Sequence, residues 1–172
     1  MIIMGIDPGY ATIGCGIISY DKSRFKTLYY DAITTPPKMD FAKRLVMIYD
    51  ALCALIEKYS PDVMAVEELF FTTNQKTAIF VAQARGVILL SAAKNNIESF
   101  EYTPLQVKQA VVGYGKAEKS QVMDLTRRIL SLDSVPKPDD VADALAIAIC
   151  HAHSSGRTAR IPASYGKDRT LK

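Results

Sequence analysis

Residues 1–20, MIIMGIDPGYATIGCGIISY, decide the fold. Ile2 to Ile6 make a short apolar run of the kind a buried strand needs, and an acid, Asp7, ends it. Pro8-Gly9 then forms a turn, and residues 12–20 resume as a second apolar stretch. Residues 25–33 (FKTLYYDAI) read as a third strand, so the short connections predict an antiparallel meander. Pro36-Pro37 breaks the pattern.

From there the pattern alternates. Asp40 is a candidate N-cap for a helix to about Tyr59, with Leu45, Ile48, Leu52, Leu55 and Ile56 at helical spacing. Ser60-Pro61-Asp62 stops it, and VMAVE (63–67) is a fourth strand. A helix over 74–94 opens at Asn74, a strand lies near 97–102, and a further helix starts at Pro104. Gly113 to Gly115 mark a loop, and helices follow over about 118–131 and 139–153. In helix 74–94, Ile79, Ala82, Gly86, Leu89 or Leu90, and Ala93 recur at helical spacing and are expected to pack on the sheet. The order predicts an α/β domain: a central mixed five-stranded sheet, antiparallel in its first three strands, with helices on both faces.

Composition agrees with one domain. The chain has 172 residues, 49% hydrophobic and 23% charged, enough apolar content to exclude a disordered chain. No uninterrupted apolar run reaches the ~20 residues of a membrane span, and the start lacks the basic segment of a signal peptide; a cytoplasmic protein without a membrane partner is expected. Cys15, Cys53 and Cys150 are odd in number and set in apolar surroundings, which predicts buried free thiols. Arg157, Arg160, Lys167, Arg169 and Lys172 face only Asp168 in the last 18 residues, so the basic excess lies at the end. The expected division is a domain over 1–154 and a basic, disordered tail over 155–172, which could assist binding to a polyanion.

The informative residues are acids placed where acids are costly. Asp7 and Glu67 end apolar strands, Asp143 lies inside the apolar helix VADALAIAIC, and Asp140 sits one turn before it. A buried carboxylate costs several kcal/mol unless paired or metal-bound, and no basic residue stands beside any of these in the sequence. Singly, Asp7 could be a turn residue and Asp140 or Asp139 a helix cap. Together they form an all-oxygen donor set suited to Mg²⁺ or Mn²⁺, and two such ions about 3.5–4 Å apart serve phosphodiester displacement. Spacing leaves Asp139 or Asp140, and Glu67 or Glu68, as alternatives. His151 and His153, two apart, fall on different helix faces, which argues against a joint metal site; surface or helix C-terminal roles are expected.

Five segments carry a resemblance. GIDPG (5–9), AVEELF (65–70), AQARG (82–86), QVKQAVVGYGKAEKSQV (106–122) and DDVADALAIAICHAH (139–153) stand in an order and spacing similar to those of the RuvC family of bacterial Holliday-junction resolvases, which have an RNase H-like fold. The resemblance implies that Asp7, Glu67, Asp140 and Asp143 are the catalytic, metal-holding acids, the DxxD pattern choosing Asp140. It implies basic residues near the site at Lys108 and Lys119, with Lys119 also catalytic, and a DNA-stacking aromatic at Phe70. Glu68 and Asp139 double the acids beside them. It further implies Mg²⁺, two ions per subunit with Mn²⁺ able to substitute, a homodimer, four-way junction DNA as substrate, and the branch-migration complex RuvA–RuvB as partner.

Residue chemistry is compatible with these roles. Lysines act on phosphates as point charges, and an exposed aromatic can stack on an unpaired base for about 1–3 kcal/mol. Two other readings are weaker. A phosphotransferase of the actin and sugar-kinase kind shares a GxDxG-like first strand but needs two domains and a second glycine-rich loop. A junction-binding module without catalysis would bind DNA better without the four acids.

Overall fold

The computed structural model describes residues 1–69 and 75–154. Five strands form one sheet: β1 (Ile2–Asp7), β2 (Thr12–Asp21), β3 (Arg24–Thr34), β4 (Val63–Glu67) and β5 (Glu98–Tyr102). Their order is β3-β2-β1-β4-β5. β1 and β2, then β2 and β3, pair antiparallel, whereas β4 runs parallel to β1 and β5 parallel to β4. The meander predicted from the opening residues is therefore present, continued on its other edge by parallel strands that arrive through helices.

Alternation along the strands divides the core in two. Met4, Ile6, Ile13, Cys15, Ile17, Met64 and Val66 face one side, where α1 (Phe41–Tyr59) brings Ile48, Leu52 and Ile56 and α2 (Gln75–Lys94) brings Ala84, Ile88 and Ala92. Ile3, Ile18, Ala65, Phe100 and Tyr102 face the other, under α3 (Pro104–Val112), α4 (Lys119–Ile129) and α5 (Asp139–Ser154). Ile17 and Ile18, as successive strand residues, point to opposite faces, and the pairing of β2 with β3 shifts register between them.

Local chemistry sets the helix starts. The Asp40 side chain accepts from the Ala42 and Lys43 N–H groups, and Thr103 and Gln106 form a reciprocal cap at α3 with Pro104 in its first turn. α5 lies directly on the meander because the strands beneath it carry glycine. A Cβ at Gly5 would collide with the Ala144 carbonyl, and one at Gly14 with the Asp140 carbonyl. Gly14 pairs with Asp7 across β1 and β2, so this contact brings the start of α5 against the end of β1.

Three expectations are corrected. Ile79, Ala82, Gly86, Leu90 and Ala93 do not pack on the sheet; they are exposed, Ile79 at 59% and Leu90 at 51%, and the smaller stripe Ala84, Ile88 and Ala92 faces inward. His151 is not at the surface: it is buried, with its Nδ1 2.8 Å from the Tyr102 hydroxyl, while His153 is exposed. Burial lowers the pKa of His151. Cys15 and Cys150 are buried free thiols, but Cys53 is only half-buried.

Candidate active site

Parallel strands end on the same side of a sheet, and β1 and β4 finish side by side with Asp7 and Glu67 as their last residues. The first turns of α5, resting on Gly14, add Asp140 and Asp143. The four acids act on one another. Asp7 is pushed up to about 8 by burial and by the charges of Glu67, Asp143 and Asp140. Glu67 is raised by burial and by Asp143, and Asp143 by burial, with Asp139 and Asp140 adding to it. The interaction between the Asp7 and Glu67 carboxyls raises Asp7 and lowers Glu67.

The members of each sequence alternative have different neighbours. Glu67 acts on Asp7, whereas Glu68 gives its backbone N–H to the Tyr102 carbonyl at 2.8 Å. Asp140 contributes to the field at Asp7, and both Asp139 and Asp140 contribute to that at Asp143. Asp139 turns to lysines: its Oδ1 accepts from Lys137 Nζ at 2.7 Å and its Oδ2 lies 3.7 Å from Lys119 Nζ. These lysine contacts, which no local pattern signals, hold the Asp139 carboxyl below the usual range.

Lys119 reaches the centre itself, with Nζ 2.9 Å from Asp143 Oδ2. Burial lowers its pKa, but the hydrogen bond to Asp143 and the charges of Asp143, Asp139 and Asp7 outweigh that and raise it, keeping the ammonium charged. A cleft of about 240 Å³ opens beside it, lined by Glu67, Lys108, Lys119 and Asp143 and walled by Pro104, Val107, Val122 and Ile147. Lys108 and Lys119 thus border one cavity although they come from different helices. The apolar walls carried no separate signal in the sequence, since Val107, Val122 and Ile147 also belong to helix core faces and Pro104 reads as a helix start. Phe70 lies outside the described residues.

Among the described residues, no group of three or more carboxylate, imidazole or thiol side chains is closed into a ready coordination shell. The electrostatics explain this. Burial and the neighbouring acids raise Asp7 and Glu67, and Asp143 is paired with the Lys119 ammonium. Half-buried oxygen donors alone, with Asp7, Glu67 and Asp143 raised, fit a hard divalent cation; Asp7, Glu67, Asp140 and Asp143 are the groups that would hold it.

Known proteins with this pattern exist. The family model described as "Crossover junction endodeoxyribonuclease RuvC" matches residues 3–151. Relatives bearing that same description include one from Alkaliphilus oremlandii, 61% identical over 92% of this chain and 96% of its own length. Another, from Ruminiclostridium cellulolyticum, is 55% identical over 98% and 99% respectively. Among solved structures, Thermus thermophilus RuvC in complex with a Holliday junction substrate superposes with a TM-score of 0.90 at 33% identity, covering 94% of this chain and 99% of that one.

Proposed function

The chain belongs to the RuvC family of crossover junction endodeoxyribonucleases and carries that family's activity on four-way (Holliday) DNA junctions in recombination and repair; we propose that it cuts through a centre made by Asp7, Glu67, Asp140 and Asp143. Divalent metal use goes with this family, and the all-oxygen donor set favours Mg²⁺, two ions per subunit, with Mn²⁺ as a substitute. Such ions, when bound, acidify an attacking water and neutralise charge on the phosphodiester. The products are paired symmetric nicks with 5′-phosphate and 3′-hydroxyl ends.

The chain's own groups have distinct tasks. The four carboxylates supply negative charge at the joined ends of β1, β4 and α5, on a rigid scaffold. Lys119 is both catalytic and DNA-binding: its exposed ammonium can turn from Asp143 to a phosphate oxygen and stabilise the charge that develops there. Lys108, which also lines the cleft, holds the DNA backbone. Phe70 stacks on bases opened at the crossover. Residues 1–154 act as the nuclease domain and 155–172 as a basic extension toward DNA, in the cytoplasm, with RuvA–RuvB delivering the junction.

The working form is a homodimer, and the outer face of α2 supports this. By length and composition Thr77–Lys94 is apolar enough to cross a membrane. Yet Arg85 is ion-paired with Glu101 of β5, and Ala84, Ile88 and Ala92 are in the core. The helix is part of the domain, so a second copy is the natural cover for Ile79, Gly86 and Leu90. A junction with two-fold symmetry needs two matched centres.

The observation that carries this reading is the convergence of Asp7, Glu67 and Asp143 on one another. Asp7→Asn tests it: cleavage should fall by at least ~10³-fold while junction affinity holds or rises, because a repulsive charge is removed. Cutting at the wild-type rate would exclude the centre; tight binding by a wild type that never cuts would favour the binding-module reading.

A further inference from the structure

We propose that Arg44 is a positioning residue for the reaction: it fixes the turn that follows Asp7 and thereby sets where the Asp7 carboxylate stands. The inference rests on Asp7 being a metal-holding acid. Arg44 lies in the first turn of α1 and is 7% exposed. It takes part in none of the ion pairs among the described residues. A guanidinium removed from water without an acidic partner is costly, and its helix line continues as Ile48, Leu52 and Ile56, all buried and apolar. An aliphatic residue would serve packing at this position better.

Its polar contacts go to a single place. Nε donates to Thr35 Oγ1 at 2.7 Å, and Nη2 donates to the Tyr10 carbonyl at 3.2 Å. The Thr35 hydroxyl donates to that same carbonyl at 2.7 Å, and the Thr35 N–H to the Ala11 carbonyl at 2.9 Å. The guanidinium also covers the Tyr10 ring, 4.8 Å from its centroid, and that ring packs on Phe41 of α1 and Phe80 of α2 at 6.2 and 5.5 Å. Residues 8–11 are the whole connection between β1 and β2. One end of this connection is Asp7, and the other is held from α1, α2 and the residue after β3.

The turn has little slack, since a Cβ at Gly9 would collide with the Thr12 carbonyl. The charges that act on Asp7 are those of Glu67, Asp143 and Asp140, so Arg44 works through the backbone. Lysine could not replace it: only a planar fork can bond through Nε and Nη2 while stacking on a ring.

The test compares Arg44→Met, Arg44→Lys and Thr35→Val with wild type, using the full-length protein stripped of metal. Leu52→Ala is the control, a truncation in the same helix that lowers stability by a cavity effect away from the turn. Mn²⁺ binding is titrated by electron paramagnetic resonance, melting temperature is recorded, and nicking of a four-way junction gives kcat and KM. The Arg44 variants should bind Mn²⁺ at least fivefold more weakly and lose at least tenfold in kcat, with KM within twofold. Thr35→Val, which keeps the side-chain volume, should show the same effects at smaller size and decides the matter if the Arg44 variants do not fold. Leu52→Ala should melt lower yet keep its Mn²⁺ affinity within twofold. Wild-type Mn²⁺ affinity in the Arg44 or Thr35 variants, or a loss in Leu52→Ala equal to theirs, would overturn the proposal and leave the nuclease reading intact. A wild type that neither binds Mn²⁺ nor nicks would overturn the metal centre, and this inference with it.

Discussion

Replacing Asp7 by Asn should make the metal-free protein more stable at pH 8, the reverse of what most changes at buried positions do. In the folded chain the Asp7 carboxyl is pushed up to about 8 from its ordinary 3.8, first by burial and then by Glu67, Asp143 and Asp140. Between those two values the folded state keeps a proton that the unfolded state has released. Stability is therefore full below about pH 4 and declines as pH rises toward 8. A shift of about four pH units corresponds to a ceiling of roughly 5–6 kcal/mol at about 1.4 kcal/mol per unit. Sharing of the proton with Glu67 and relaxation of the four carboxylates reduce this to about 1–3 kcal/mol. Asn cannot ionise and can donate from its amide to Glu67, so it keeps the contact and loses the penalty. For a domain of this size the gain is about 3–10 °C in melting temperature. The assay is a set of thermal melts at pH 5 and pH 8, with chelator and then with Mn²⁺. The Asp7→Asn variant should melt higher than wild type at pH 8 and differ less at pH 5, and Mn²⁺ should raise wild type more than the variant. A variant that melts lower than wild type at pH 8 would refute the claim that the acids strain one another.

Three further outcomes are expected. Gly14→Ala should drive a methyl into the Asp140 carbonyl, lowering stability by about 1–3 kcal/mol and weakening Mn²⁺ binding, read by melts and metal titration. Lys119→Met should slow nicking by about 10²-fold with junction affinity changed only a few-fold, measured by single-turnover cleavage and gel shift; an unchanged rate would make Lys119 an ordinary surface lysine. Ile79→Glu with Leu90→Glu, both on the exposed face of α2, should give monomers in sedimentation and uncouple the two nicks, without a lower melting temperature.

Much of the fold was legible because its signals are local. The acid ending MIIMGI and the Pro-Gly turn mark β1 and its hairpin, and Asp143 stands out in a helix otherwise built from Ala, Leu and Ile. What escaped depends on contacts distant in sequence. α2 is apolar around most of its circumference, so periodicity could not tell that Ala84 and Ile88 face the sheet while Ile79 and Leu90 face out. The two histidines were separable into different faces, but contacts with the distant Phe100 and Tyr102 are what identify His151 as the inner one. Adjacent acids were likewise undecided by spacing, and Lys137 and Lys119 explain where Asp139 goes. Arg44 reads as a charged residue on an amphipathic helix until its partners, the Tyr10 carbonyl on the Asp7 turn and the Thr35 hydroxyl after β3, are seen.

The most direct measurement is a nicking assay on a synthetic four-way junction with a mobile core, run beside a linear duplex of matched sequence, with Mg²⁺ and then with Ca²⁺ or chelator. Paired, symmetric nicks in the junction alone, appearing only with Mg²⁺ and absent in Asp7→Asn, are the predicted result. Equal cutting of the duplex, or cutting that persists in chelator or in the variant, would contradict the account.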